Sequence, residues 1–288
     1  MTLSNRLREY ALLMRLDRPI GILLLMWPTL WGLWIASEGR PGLLVLAIFV
    51  AGVALMRSAG CVINDYADRD FDPHVERTQH RPLAAQRVTN REALGLFVIL
   101  CLIAFVLVLQ LNMLTIVLSL VGAFLAASYP FMKRYTHLPQ FYLGIAFGWS
   151  IPMAFAAQTS HVPAVAWVLF LANMFWSVAY DTAYAMVDRE DDLKVGVKST
   201  AILFGQWDRH MIGLAHLASL ALLTLAGTMA NLGYSYYIGV LVAAGLAIYQ
   251  QTLIYRREAK LCFKAFLNNN WFGAAVFAGL VINYMVTR

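Results

Sequence analysis

The chain has 288 residues, 60% of them hydrophobic and only 13% charged, with a formal net charge of +6 and a mean hydropathy of +0.64. Soluble domains carry about 25% charged residues, so a soluble globular protein is excluded. The period-two alternation of an outer-membrane barrel is missing as well. The apolar residues fall in nearly charge-free runs long enough to cross about 30 Å of hydrocarbon, and the expected fold is an all-α integral membrane protein.

In chain order, the N-terminal "MTLSNRLREYALLMRLDRP" places four arginines ahead of the first apolar run. That run, "IGILLLMWPTLWGLWIA", is too long and Trp-rich for a signal peptide and no A-x-A site follows it, so it is expected to be retained as a span. Residues 3–16 fit a short interfacial helix with Leu7, Ala11 and Met14 on one side. Nine spans follow: 19–36, 43–64, 94–111, 113–130, 139–157, 164–184, 210–230, 235–255 and 269–286. The connections "SEGRPG", "QLN", "QTSHVP" and "NLGYS" contain one basic residue, Arg40, whereas the N-terminus, loops 65–93 and 185–209, "MKRYTH" and "RREAKLCFKAFLNN" hold nearly all the others. The positive-inside rule assigns this second set to the cytoplasm. The expectation is one transmembrane domain over 1–288 in a bacterial inner membrane, with N-terminus and site cytoplasmic and C-terminus periplasmic.

A shift of 120 residues lays "NDYADRDFD" (64–72) over "YAMVDREDD" (184–192), matching Asp68 to Asp188, Arg69 to Arg189 and Asp72 to Asp192. Each copy follows the second helix of a four-helix set, so a parallel repeat with the ninth helix appended is expected. Asn64, Asp68 and Asp72 are spaced by four and form one stripe if the helix continues, as do Asp188 and Asp192, with Asp181 two turns earlier. Pro73 disfavours helix at Asp72 and allows it to be offered from the loop.

Carboxylate and amide oxygens without imidazole or thiolate select hard cations. The twelve-residue calcium loop is missing, whereas Mg²⁺ keeps few protein oxygens and completes its shell with water and phosphate. Asn64, Asp68, Asp72, Asp188 and Asp192 are therefore candidate ligands for Mg²⁺ bound with a diphosphate. The competing reading is a set of solvated loop charges, Asp68 and Asp72 pairing with Arg69. The three cysteines and six histidines show neither a disulfide framework nor zinc spacing.

Candidate diphosphate-binding cations are Lys133, Arg134, Lys194, Lys198, Arg77 and Arg81, whose charge-assisted bonds suit a leaving diphosphate. Arg57 lies seven residues before Asn64, about 10 Å deeper on nearly the same face. Two readings of it stay open: a clamp for a substrate carboxylate, or an ion pair with the second acidic cluster. Arg134 is a second candidate for that clamp.

The pair "NDYADRDFD" and "DREDD" resembles the two Asp-rich motifs of the UbiA superfamily of intramembrane aromatic prenyltransferases. The stretches "DRPIGILLLMWPTLWGLW", "RPLA", "YPFMKR" and "YDTAYAMVDREDDLKVGVKSTAILFG" extend the resemblance over nearly the whole chain and point to the branch acting on 4-hydroxybenzoate in ubiquinone biosynthesis. The resemblance implies a nine-helix fold with a cavity capped by the cytoplasmic loops and open sideways to lipid. It implies a polyprenyl diphosphate held through Mg²⁺ on the two motifs, and transfer of the prenyl group to the 3-position of 4-hydroxybenzoate. For that chemistry Asp191 and Asp65, outside the metal stripe, are candidate bases. Tyr66, Tyr129, Tyr184 and Phe131 are candidate cation-stabilising faces or interface-belt residues. Two rivals are weighed: a relative using a naphthoate, homogentisate or haem acceptor, and a transporter. Transport is disfavoured because the outer halves of the nine spans lack Asp, Glu, Lys and Arg.

Overall fold

In the computed structural model, residues 3–75 and 77–287 are described, and every regular element among them is helical. The order is α1 (Leu3–Leu13), α2 (Ile20–Ala36), α3 (Leu43–Asp68), α4 (Asn90–Val108), α5 (Met113–Ser128), α6 (Met132–Tyr135), α7 (Pro139–Gly148), α8 (Ser150–Thr159), α9 (Ala164–Ala185), α10 (Arg189–Val195), α11 (Thr200–Phe204), α12 (Asp208–Met229), α13 (Tyr234–Ile254) and α14 (Ala259–Val286). Seven helical segments are long and apolar enough to cross a membrane; α2, at 17 residues, is a shorter apolar helix. Exposed Val98, Leu102 and Val106 on α4, Leu120 and Phe124 on α5, and Leu241 and Ile248 on α13 give the bundle the apolar outer face that lipid requires.

Local chemistry sets the boundaries. A capping box joins Thr89 and Glu92 at the start of α4, and Asn112 caps α5 through the Thr115 amide, satisfying amides that a helix start leaves orphaned. The segment expected as one span over 139–157 is instead two ten-residue helices, α7 and α8. Pro152 has no amide hydrogen to return to the Gly148 carbonyl, so the ladder fails there. The break also seats α9 close by, since a Cβ on Gly148 would lie 2.9 Å from Asn173 Nδ2. The hydroxyls of Thr29 and Ser150, 2.8 Å apart, join α2 to the start of α8.

Two further boundaries differ from expectation. Helix α14 begins ten residues before the expected 269, because Cys262 and Ala265 are buried on its inner side while Lys260 and Lys264 stay exposed. Helix α1 stops at Leu13, short of the expected 16; it buries Leu13 and packs Tyr10, with Met14 just beyond its end, against Ala59, Val62 and Leu83, leaving Leu3 and Leu7 exposed. The Tyr10 hydroxyl donates to Glu92 Oε1 at 2.9 Å, tethering α1 to α4.

The core centres on Trp31, Trp176, Tyr236 and Phe272, all fully buried. Trp176 stacks on Phe272 at 5.3 Å and donates to Asn269 Oδ1 at 2.8 Å. Neighbours pack in the same order in the two halves: α2 on α3, α3 on α4 and α4 on α5, then α7 on α9, α9 on α12 and α12 on α13. The acidic motifs follow α3 and α9, the second helix in each of these two packing orders.

Candidate active site

The first acidic motif does not form one helical stripe. Helix α3 ends at Asp68, and Asp72 opens a 3₁₀ turn, Asp72–His74; Pro73 after it carries no amide hydrogen to continue a helix. The second motif also departs from a continuous helix, since α9 stops at Ala185 and Asp188 precedes the separate α10, which carries Asp192. The two breaks turn both motifs over one cavity of about 330 Å³, and Asn64, Asp68, Asp72, Asp188 and Asp192 all line it.

Basic side chains cross the same cavity. Arg77 Nε and Nη2 donate to both oxygens of Asp188 at 2.8 and 2.5 Å, a bidentate pair of the strong kind. Arg81 Nη1 donates to Asp72 Oδ2 at 2.8 Å, and Lys133 Nζ donates to Asp68 Oδ2. Lys198 lines the wall, and its amide donates to the Lys133 carbonyl at 3.0 Å. Burial, reinforced by Asp68 and Asp65, pushes Asp72 up to about 6 against the pull of Arg81. Burial and the neighbouring Asp188 push Asp192 up to about 7.

Among the described residues no three carboxylates converge to hold a cation by themselves. The donor set is nonetheless all oxygen, and Asp68 Oδ1 is buried without a partner. Such a set fits Mg²⁺ that shares its shell with phosphate and water, one or two carboxylates being offered from each side of the cavity.

Arg57 marks the inner end. It lines the polar cavity and also a second, apolar cavity of about 170 Å³ between α3, α4, α5 and α8, lined by Val53, Ala104, Phe105, Ala126 and Met153; Tyr129 and Phe147 belong to both. Its guanidinium lies over the Phe147 ring at 5.8 Å, and its Nε is buried without a partner. No carboxylate stands within 4.0 Å of it among the described residues, and the charge of Asp181, in the second acidic segment, acts on it from farther away. Gly21 makes room for it in this position: a Cβ there would be 2.2 Å from Arg57 Nε and would displace the guanidinium.

Four candidates from the sequence lie off the cavity. Asp65 is fully buried, its Oδ1 accepting from Arg15 Nη2 at 2.5 Å and Arg81 Nη1 at 3.1 Å; it anchors arginines, and as a base it has no access to substrate. Asp191 pairs with Lys194 at 3.0 Å on the outer face of α10, which removes both from the site. Arg134 points the other way from Lys133, donating to the Ala67 carbonyl and lying 5.3 Å from the Phe71 ring. Of the aromatic candidates, Tyr129 and Tyr184 line the cavity, whereas Tyr66 stacks under Arg69 at 4.6 Å and Phe131 lies beside Arg134.

The structure adds residues that the sequence reading did not select: Arg15, Arg18, Gln140, Tyr180 and Asp181. Gln140 lines the wall together with Asp181, and its Oε1 accepts from the Thr200 amide at 2.9 Å. The seven-residue spacing of Asp181 and Asp188 was the available signal for Asp181. Arg15 had none, since its place depends on the turn between α1 and α2, where its φ is 58°.

Known proteins resemble this chain in sequence and in fold. Over 284 residues the chain is 63% identical to the 4-hydroxybenzoate octaprenyltransferase of Methylococcus capsulatus, covering 99% of this chain and 97% of that protein. It is 62% identical over 281 residues to the protein of the same name from Alkalilimnicola ehrlichii, covering 98% and 96%. The apo structure of a UbiA homologue from Aeropyrum pernix K1 superposes with a TM-score of 0.81 at 25% identity, over 91% of this chain and 97% of that one. A UbiA homologue from Archaeoglobus fulgidus, bound to GPP and Mg²⁺, shares the fold at a TM-score of 0.70 and 18% identity, over 94% and 99%. The UbiA prenyltransferase family model matches residues 25–277, and the chain belongs to that family.

Proposed function

We propose that this protein transfers a polyprenyl group from a polyprenyl diphosphate to carbon 3 of 4-hydroxybenzoate in ubiquinone biosynthesis, with Mg²⁺ as cofactor. The carrying observation is that two cavities, one walled by paired acidic motifs and the other apolar, lie side by side with Arg57, Tyr129 and Phe147 in the lining of both. A diphosphate headgroup suits the first and a prenyl tail the second. The names of the relatives at about 60% identity supply the acceptor.

Asn64, Asp68 and Asp72 on one wall and Asp188 and Asp192 on the other would hold the metal. Bound there, Mg²⁺ neutralises the charge that builds on the departing diphosphate. Lys133, Arg77 and Arg81, now paired with carboxylates, exchange those partners for phosphate oxygens, and Lys198 joins them. The allylic C–O bond breaks with its electron pair leaving on diphosphate, and ring carbon 3 attacks the allylic carbon. Arg57 receives the benzoate carboxylate, with its partnerless Nε as the motivating feature. The ring proton passes to Asp181, a wall carboxylate outside the two metal motifs. Tyr129, Tyr184 and Phe147 face the carbon centre and exclude water, which would otherwise trap it.

In the membrane we read α2 as one crossing and α7–α8 as one broken crossing, making nine in a single domain over 1–288. Their parallel four-helix sets are followed by α14. The basic segments place the N-terminus and the polar cavity at the cytoplasmic face of a bacterial inner membrane and the C-terminus in the periplasm. The test is an assay of membranes with 4-hydroxybenzoate, Mg²⁺ and prenyl diphosphates of several lengths. A Mg²⁺-dependent prenylated product, lost in Asp68→Ala and Asp188→Ala, is expected; no product at any length would overturn the reading.

A further inference from the structure

The matched D-R pairs of the two acidic motifs suggest arginines that bind phosphate, but neither Arg69 nor Arg189 lines the cavity. Arg69 turns back onto the Tyr66 carbonyl at 2.9 Å. Arg189 goes further. Its Nη1 reaches Asp208 Oδ2 at 3.1 Å and the Gly205 carbonyl at 3.3 Å. Asp208 is fully buried at the first residue of α12. A second arginine closes on it from the turn between α13 and α14: Arg257 donates from Nε at 2.9 Å and from Nη2 at 2.7 Å, and holds the Gln206 carbonyl at 2.8 Å. The Arg209 amide completes the set at 2.7 Å.

A carboxylate without access to solvent is retained in a fold only when it is paired and hydrogen-bonded, and here the two arginines tie two different segments to α12. The segment on the Arg189 side is α10, which begins at Arg189. It carries Asp188 immediately before its first residue and Asp192 one turn later. Helix α10 is seven residues long and none of them is buried, so core packing does not hold it. The first motif has a comparable anchor in Asp65, whose two arginines are Arg15 and Arg81, the latter reaching on to Asp72. Each acidic motif is thus held in place by a buried carboxylate that does not face the cavity.

We propose that Asp208 is a positioning residue for the second acidic motif, holding Asp188 and Asp192 over the cavity through Arg189. The proposal rests on the functional reading above, in which those carboxylates take Mg²⁺ and diphosphate. Arg189 then serves as a strut for the motif, with no direct bond to phosphate, and Arg257 anchors the far side of the same carboxylate.

The test compares Arg189→Gln, Arg257→Gln and Asp208→Asn in the purified, detergent-solubilised full chain. The readouts are the Kd for farnesyl diphosphate with Mg²⁺, the thermal midpoint, and the KM for 4-hydroxybenzoate. Arg189→Gln and Asp208→Asn are expected to weaken Mg²⁺-dependent binding of farnesyl diphosphate at least tenfold with the acceptor KM changed less than twofold. Their double variant should be no worse than the weaker single one, the signature of two groups acting as a unit. Arg257→Gln, which removes the arm remote from the motif, should change that Kd less than twofold. Equal losses in Arg189→Gln and Arg257→Gln would mean a general stabilising role and overturn the proposal. So would unchanged binding in Arg189→Gln, or additive losses in the double variant. If Asp208→Asn does not fold, the contrast between the two arginine variants decides alone. Wild-type protein that fails to bind farnesyl diphosphate with Mg²⁺ would overturn the functional reading and this proposal with it.

Discussion

Burial and neighbouring carboxylates raise Asp72 to about 6 and Asp192 to about 7, so below those values they keep protons that an exposed aspartate has already lost. In the metal-free protein their unfolded-state values lie near 4. Between about pH 4 and 7 the folded state therefore binds more protons than the unfolded one, and stability falls as pH rises through that window. On the proposed function Mg²⁺ takes the place of those protons, and its stabilising effect is then expected to grow with pH. The thermal midpoint of detergent-solubilised protein should accordingly rise more on adding Mg²⁺ at pH 8 than at pH 6; an equal rise would sever these carboxyls from the metal. Arg57 allows a second prediction at this scale. A charge-assisted bond contributes roughly 1.5–3 kcal/mol, so Arg57→Ala should raise the KM for the aromatic acid about tenfold or more, and by more than the KM for the prenyl diphosphate. The reverse ranking in steady-state kinetics would move the carboxylate clamp elsewhere.

The elements owe their positions to their interruptions as much as to their apolar faces. A continuous α3 would send Asp72 on along the helix axis, whereas the turn at Pro73 brings it back to Arg81. The break between α7 and α8 leaves α7 packed on α9 and α8 on α2, and its tight seat at Gly148 is testable. A side chain there must displace Asn173 and Phe170, whose atoms lie 2.9–3.2 Å from the Cβ position. Overpacking of this kind costs about 1–3 kcal/mol. Gly148→Val should therefore lower the thermal midpoint by several degrees, while Gly245→Val, on α13 where a Cβ meets nothing within 4 Å, should stay within about two degrees. Equal midpoints would remove the close approach as an explanation. Register explains the misplaced candidates too. Lys133 and Arg134 are adjacent, and one residue turns a helix by about 100°; the first enters the cavity and the second leaves it. The same single step separates Asp192 on the wall from Asp191 outside.

For the whole molecule, the segregation of basic segments makes the orientation in the membrane a prediction. In a cysteine-free background, single cysteines at Asn112 and Ser160 should react with an impermeant thiol reagent added outside intact cells, and one at Arg256 should react only after lysis; labelling in the opposite sense would invert the topology. The sequence by itself determined the membrane class, most of the helices and the pairing of the two acidic motifs. Hydrophobicity along a segment and the spacing of carboxylates are properties of neighbouring residues, readable without a fold. Only the tertiary structure decided which of those charges face one another. The Arg77–Asp188 pair spans 111 positions and the Arg257–Asp208 pair 49, and such pairs form wherever chain breaks and helix packing bring buried opposite charges within bonding distance, because an unpaired charge cannot remain in a poorly solvated interior. That selection separated the cavity-lining aspartates from Asp65 and Asp208, which resemble them in sequence and instead anchor arginines.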